Sequence, residues 1–191
     1  MNYLAHLFLA DGDDDSLLGA LMGDFVKGPI RPDFPPQMRR AIQQHRQIDS
    51  FTDQHPVVRA SKQRISRRFR RYAPILIDMF YDHFLALYWA EYTEQPLPDF
   101  SARVYRLLQD RQYDLPDNMR RPMHYLAHYD LLGSYQTRDG IARALRGIES
   151  RLSRPSELGV AINELDANFT ALAEDFQGFF PDLMNMARPG E

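Results

Sequence analysis

The stretch APILIDMFYDHFLALYWAEY, residues 73–92, decides the fold class. Pro74 stands where a helix opens, and the residues after it are apolar or aromatic on almost every face, which suits a helix at the centre of a bundle. A strand reading has no support here or elsewhere, because no strict alternation of apolar and polar residues is bounded by hairpin turns. The expected class is all-α. A chain of 191 residues is long enough for one real core and short for two, so one domain spanning residues 1–191 is expected.

Toward the N-terminus, seven basic residues (Arg59, Lys62, Arg64, Arg67, Arg68, Arg70 and Arg71) fall between positions 59 and 71 with no acidic one among them. This segment is expected as a helix with Ile65, Phe69 and Tyr72 on its apolar edge and its arginines outward, seeking an anionic neighbour. Before it, a helix is expected from about Pro36 to Gln54, ending where Pro56 restricts His55. PDFPP (32–36) is a rigid connection. LLGALMGDFVKG (17–28) is expected to start from an N-cap at Ser16 or Asp15 and to stop at Gly28-Pro29. A short apolar helix lies near residues 2–10. Beyond Tyr92, helices are expected near 99–112, 119–134, 138–150 and 158–177, the last with Leu165, Phe169, Leu172, Phe176 and Phe179 in phase. LPDNMRRP (115–122) and the tail ARPGE (187–191) are read as peripheral.

Composition narrows the chemistry. Hydrophobic residues at 44% and charged residues at 26% are ordinary for a globular chain and exclude disorder as the main theme. Cysteine is absent, which removes disulfides, thiolate nucleophiles, iron–sulfur clusters and cysteine-ligated zinc, so a metal must use His, Asp, Glu or Asn. The N-terminal sequence lacks a basic leader and no apolar stretch could span a bilayer, so a cytoplasmic location is expected, with no membrane association. Glycine-rich phosphate cradles and GxSxG are missing, so nucleotide-cradle and serine-hydrolase routes have no support.

The candidate site comes from helical spacing. In HRQIDSFTDQHP (45–56), His45, Asp49 and Asp53 succeed one another at four residues, and Asp78 is paired with Asp82 by the same arithmetic. Asp82-His83 lies among Met, Phe, Leu and Tyr, where an unpaired carboxylate would be costly to bury. His6 sits between Leu4, Leu7 and Phe8, with Asn2 one turn earlier, and Asp24 ends a helix whose Gly19, Ala20 and Gly23 let another backbone approach. Together these give two His, several Asp and one Asn from four helices, which is how a bundle assembles a metal centre, and oxygen and nitrogen ligands without sulfur favour Mn, Mg, Fe or Zn. Plainer readings stand beside these: a satisfied core histidine for His6, and surface ion pairs with Arg46 and other cations for the Asp49/Asp53 ladder. His124 and His128 are one turn apart but lack an acidic partner and are read as rim residues. DGDDDS (11–16) fails as a calcium loop because Ser16 stands where glycine is needed and Met22 where a bidentate Glu is needed.

Four blocks taken together, NYLAHLFLA (2–10), GALMGDFVKG (19–28), HRQIDSFTDQHP (45–56) and IDMFYDHFL (77–85), resemble the acyl carrier protein phosphodiesterase family, also called acyl carrier protein hydrolase. The resemblance implies hydrolysis of the phosphodiester joining 4′-phosphopantetheine to a serine of holo acyl carrier protein. It further implies manganese as the metal, with Mg, Fe or Zn as alternatives, and a helical fold related to the HD-type metal phosphohydrolases. His6, Asp24, His45, Asp49, Asp82 and His83 match the family's polar blocks. The order Asp82-His83 reverses the dipeptide for which the HD type is named. The expected division makes His6, Asp24, His45 and Asp82 metal ligands, Asp49 and His83 groups that orient ligands or move a proton, and Arg46 a phosphate contact.

Because acyl carrier proteins are small and acidic, Arg64, Arg67, Arg68 and Arg71 are expected to guide docking. Nucleic acid is not expected as a partner, since the rest of the chain is acidic on balance. Two other functions share parts of this pattern: a metal-dependent phosphohydrolase of a nucleotide or other small phosphoester, and a non-catalytic helical binding module in which the His and Asp residues form only ion pairs.

Overall fold

Phe80, Tyr81 and Phe84 are wholly buried, and the segment opened by Pro74 runs through the middle of one continuous hydrophobic core. The computed structural model describes residues 1–152 and 156–188; the last three residues of the ARPGE tail lie outside the described residues. Among the described residues there are eleven α-helices, two 3-10 turns and no strand, so the all-α expectation holds. Among the described residues no helix is long and apolar enough to cross a membrane.

The N-terminal helices are α1 (Tyr3–Phe8), α2 (Asp14–Met22), α3 (Pro36–Gln54) and α4 (Pro56–Arg64). Helix α2 starts earlier than expected, because Asp13 rather than Ser16 or Asp15 is its cap and accepts from the Ser16 N–H at 3.0 Å. It also ends at Met22, before Gly28-Pro29. Helices α2 and α3 lie against each other at contact distance: a Cβ at Gly19 would collide with the Met38 carbonyl of α3, so the small residues do open the way for a neighbouring backbone.

The basic segment is not one helix. α4 stops at Arg64, Ile65 is extended, and Arg70–Tyr72 form a 3-10 turn. The chain breaks here because both Ile65 and Phe69 are buried while the Ser66 N–H is taken by the Glu164 carboxylate at 2.9 Å. The central helix α5 (Ala73–Leu87) is followed after a kink at Tyr88 by the single turn α6 (Trp89–Tyr92).

Helices α7 (Leu97–Asp110), α8 (Asp117–His128), α9 (Leu131–Ser134) and α10 (Arg138–Glu149) complete the middle of the chain. The expected helix 119–134 is divided at Asp130, whose φ of 45° turns the chain while its carboxylate accepts from the Gly133 N–H and the Tyr105 hydroxyl. A 3-10 turn at Leu158–Val160 precedes α11 (Ile162–Ala187). That last helix continues past residue 177 and through Pro181 because Phe179, Phe180 and Leu183 carry its buried stripe on. Phe169, expected inside, is partly exposed and lies edge-on to Phe84 at 5.3 Å. Helices α4, α5 and α11 are tied together where Ser61 bonds the Tyr81 hydroxyl at 2.8 Å and donates to Asp175 at 2.7 Å.

Candidate metal centre

Helices α1 and α3 bring His6, His45 and Asp49 together. Spacing by four on α3 aligns His45 with Asp49, and α1 lays His6 over them: the two imidazoles stack with centroids 3.6 Å apart and an interplanar angle of 11°. Nε2 of His6 is 3.1 Å from Asp49 Oδ1, and Nε2 of His45 is 3.3 Å from Asp49 Oδ2. One ligand atom from each of the three residues lies within 4.8 Å of the others. Asp24, just past the end of α2, stands at the rim with Oδ1 3.6 Å from His45 Nε2.

Neighbouring backbone sets the orientation. The Ala20 carbonyl of α2 accepts from His45 Nδ1 at 2.6 Å, which leaves the Nε2 lone pair for the cluster in the neutral ring. A Cβ at Gly23 would fall on the His45 ring, so that glycine makes the space the ring occupies. Both rings are buried whereas Asp49 and Asp24 are 43% and 51% exposed, so the carboxylates face solvent and the imidazoles form the floor.

Charge in the cluster is unevenly held. Burial and the adjacent His45 lower His6 to about 4, although Asp49 pulls the other way. Burial also acts against a charged His45, but Asp24 and Asp49 outweigh it and raise that ring to about 9. Asp49 is held well below the usual carboxylate range because its bonds to His45 and His6 overcome its burial. A proton and two carboxylates held by facing imidazoles are what a divalent cation could displace and bind, since both Nε2 atoms and an Asp49 oxygen are of the right donor type. His6 Nδ1 is buried and has no hydrogen-bond partner among the described residues.

The acyl carrier protein phosphodiesterase family model matches residues 1–183. The chain belongs to that family. It is similar to the acyl carrier protein phosphodiesterases of Shigella boydii serotype 4 and Escherichia coli O6:H1, each 36% identical over 98% of this chain and 97% of the relative. The same protein of Enterobacter sp. strain 638 is 36% identical over 98% of both chains. No solved structure matches the chain significantly.

In this member of the acyl carrier protein phosphodiesterase family, the other residues singled out from sequence make their contacts outside the cluster, although the Met1 amine links Asp78 (3.1 Å) to Asp49 (3.9 Å). Asp82 is wholly buried and its carboxylate accepts from the N–H groups of Asn2 (3.3 Å), Leu4 (2.7 Å) and Ala5 (3.3 Å). It caps the start of α1 from across the core, a role no local pattern announces. Burial raises it to about 7, against those N–H donors. His83 bonds the Tyr135 carbonyl through Nδ1 at 2.7 Å and lies edge-on to Phe169. Arg46 donates to the carbonyls of Val26 and Gly28 at 2.8 and 2.9 Å and so pins the connection after α2.

Asp53 pairs with Lys62 at 2.7 Å. Asp78 holds the Met1 amine at 3.1 Å. Of the four arginines expected to meet a partner, Arg64 makes a two-pronged pair with Asp175 and Arg68 pairs with Glu157. Arg67 and Arg71 are exposed and form no ion pair among the described residues, Arg71 lying over the Tyr72 ring. His124 and His128 stack at 5.8 Å along α8 and belong to no cluster of three or more potential metal ligands among the described residues.

Proposed function

We propose that the protein is a metal-dependent hydrolase, acting in the cytoplasm, that cleaves the phosphodiester between 4′-phosphopantetheine and the serine of holo acyl carrier protein. The observation that carries this reading is the convergence of His6 Nε2, His45 Nε2 and Asp49 at a solvent-facing edge, in a chain of this family. Those three residues would hold the cation, and we take it to be Mn²⁺, with Mg²⁺, Fe²⁺ or Zn²⁺ acceptable to the same donors. When bound, a divalent ion supplies neutralisation of the phosphodiester's charge and a water of lowered pKa.

The chain's own residues do the rest. Ala20 keeps His45 Nδ1 protonated and its Nε2 directed at the centre. Asp82 fixes the start of α1 and thereby the place of His6. Asp24, half-exposed at the rim and 3.6 Å from His45 Nε2, would carry a proton between the attacking water and the departing serine oxygen. The water oxygen bonds to phosphorus as the P–O bond to the serine breaks; one water proton ends on the serine oxygen, the other stays with the phosphate, and apo carrier protein and 4′-phosphopantetheine leave. On this reading His83 and Arg46 position the scaffold, and Arg67 and Arg71 are the cations left to meet an acidic carrier.

Intact-mass spectrometry of holo acyl carrier protein tests the reading. Incubation with the protein and Mn²⁺ removes the mass of the prosthetic group, and incubation with a chelator does not. Holo carrier left intact in the presence of Mn²⁺, by protein that has bound the metal, overturns it in favour of a small phosphoester as substrate.

A further inference from the structure

A cleft of about 480 Å³ opens between the start of α1, α5, α8, α9 and α10, and is lined by Asn2, Tyr3, Met79, Tyr125, Ile148 and Arg151 among others. Its size lies within the range of roughly 300–1,000 Å³ in which small ligands are held. It has helix α1 in common with the His/Asp cluster. Tyr3 is one turn before His6 on α1, and burial raises its hydroxyl, with Asp24 of the cluster acting in the same direction and Arg151 of the cleft against it. A larger groove of about 820 Å³ between α7 and α8, which holds His124 and His128, reaches neither α1 nor α3.

We propose that this cleft receives the pantetheine chain of the substrate, an inference that rests on the hydrolase reading above. The scissile phosphate of that substrate is joined directly to the carrier's serine, so the carrier covers the centre from solvent and the chain beyond the phosphate must find room on the protein. Pantetheine alternates apolar carbons with two amides and a hydroxyl. The cleft answers in kind: Met79, Pro122 and Leu131 give apolar walls, and single hydrogen-bonding groups are spread between them. Asn2 donates to the Tyr135 hydroxyl at 3.2 Å and to Met79 Sδ at 2.7 Å, while its Oδ1 has no partner among the described residues and is available to an amide N–H. Arg151 is exposed at the rim beside the Tyr3 hydroxyl. The dimethyl end next to the phosphate meets Tyr3 and Asn2, and the thiol end runs toward Ile148.

Gly147 provides the test. It lines the cleft on α10, and a Cβ there meets nothing within 4 Å, so Gly147→Leu fills the cleft while adding helix propensity. Gly178→Leu on α11, where a Cβ likewise meets nothing within 4 Å, is the control outside the cleft. With Mn²⁺ and holo carrier protein, Gly147→Leu is expected to raise KM at least about tenfold with a smaller change in kcat, and Gly178→Leu to leave both within about twofold. Metal content of the two variants, read by mass spectrometry of the elements, is expected to match. An unchanged KM in Gly147→Leu overturns the assignment and leaves the hydrolase reading standing. Holo carrier left intact by the unmutated protein overturns that reading and this assignment with it. Where Gly147→Leu loses its helical circular dichroism, Arg151→Gln at the exposed rim decides: a raised KM supports the cleft, an unchanged one removes it.

Discussion

His45 and Asp49 stand one helical turn apart on α3, whereas Asp82 and His83 are consecutive on α5, and the two pairs are used in opposite ways. Asp49 faces two imidazole nitrogens, and among the described residues no backbone N–H donates to it. Asp82 faces three backbone N–H groups and no imidazole. The spacing explains the divergence: residues four apart share a helix face, while neighbours point about 100° apart around the axis, so Asp82 is aimed at α1 and His83 at the Tyr135 carbonyl. A carboxylate already surrounded by amides serves structure. One that faces imidazoles and solvent is free to take a cation.

The largest effect expected from breaking this contrast is that of Asp49→Asn, which should lose bound metal and at least about 100-fold of holo carrier hydrolysis while keeping its helical circular dichroism. Retention of metal by that variant would show that the cluster is only an ion-pair network. Asp82→Ala should act on the fold instead, costing about 3 kcal/mol through a lost cap and unsatisfied buried donors. In thermal denaturation that is a fall of roughly 6–12 °C in Tm for a chain of this size. If Asp82→Ala lost its metal with Tm unchanged, the distinction between the two pairs would collapse. Gly23→Ala, which sets a methyl against the His45 ring, should weaken metal binding about tenfold by titration calorimetry.

The pH dependence of the metal-free protein sharpens the same comparison. His45 is raised to about 9, so its contribution is complete below the unfolded value near 6.5 and is lost as pH climbs from there through 9. His6, lowered to about 4, withdraws stability as pH falls from 6.5 to 4, and Asp82, raised to about 7, gives stability back over much of that interval. Tm should therefore change little between pH 4.5 and 6.5 and drop by about 5 °C between 6.5 and 9. Asp49→Asn should flatten the alkaline limb, and a limb of unchanged slope would show that His45 does not hold its proton through this carboxylate. The smallest effect is that of reversing Arg67 and Arg71 to Glu, with a rise of about threefold in KM at low salt that fades as salt is added. No change in KM at any salt concentration would remove these two residues from docking.

Much of this was legible in the sequence because it depends on local spacing. The 3.6-residue period gave the bundle, and the i, i+4 arithmetic gave His45 with Asp49. The small residues of GALMG announced the close approach that admits the His45 ring. What stayed hidden depends on partners distant in sequence. Ile65 and Phe69 read as one helical edge, but the Glu164 carboxylate holding the Ser66 N–H ends α4 between them. The acidic partners of Arg64 and Arg68 are more than 80 residues away, so the basic run looked more open than it is. Asp82 announced that it needed compensation without showing that the compensation was the front of another helix. The cleft beside Tyr3 is assembled from five helices and has no signature in any of them.

Helix α1 has six residues, fewer than hold a helix together alone, and the carboxylate that secures its first N–H groups comes 77 to 80 residues later in the chain. The consequence is one of timing during synthesis. His6 cannot take its place until α5 has left the ribosome, and a cation met earlier by the nascent chain finds only His45 and Asp49 on one helix. If the cluster holds a metal as proposed, loading follows folding, and a chelator should empty that centre without unmaking the bundle around it.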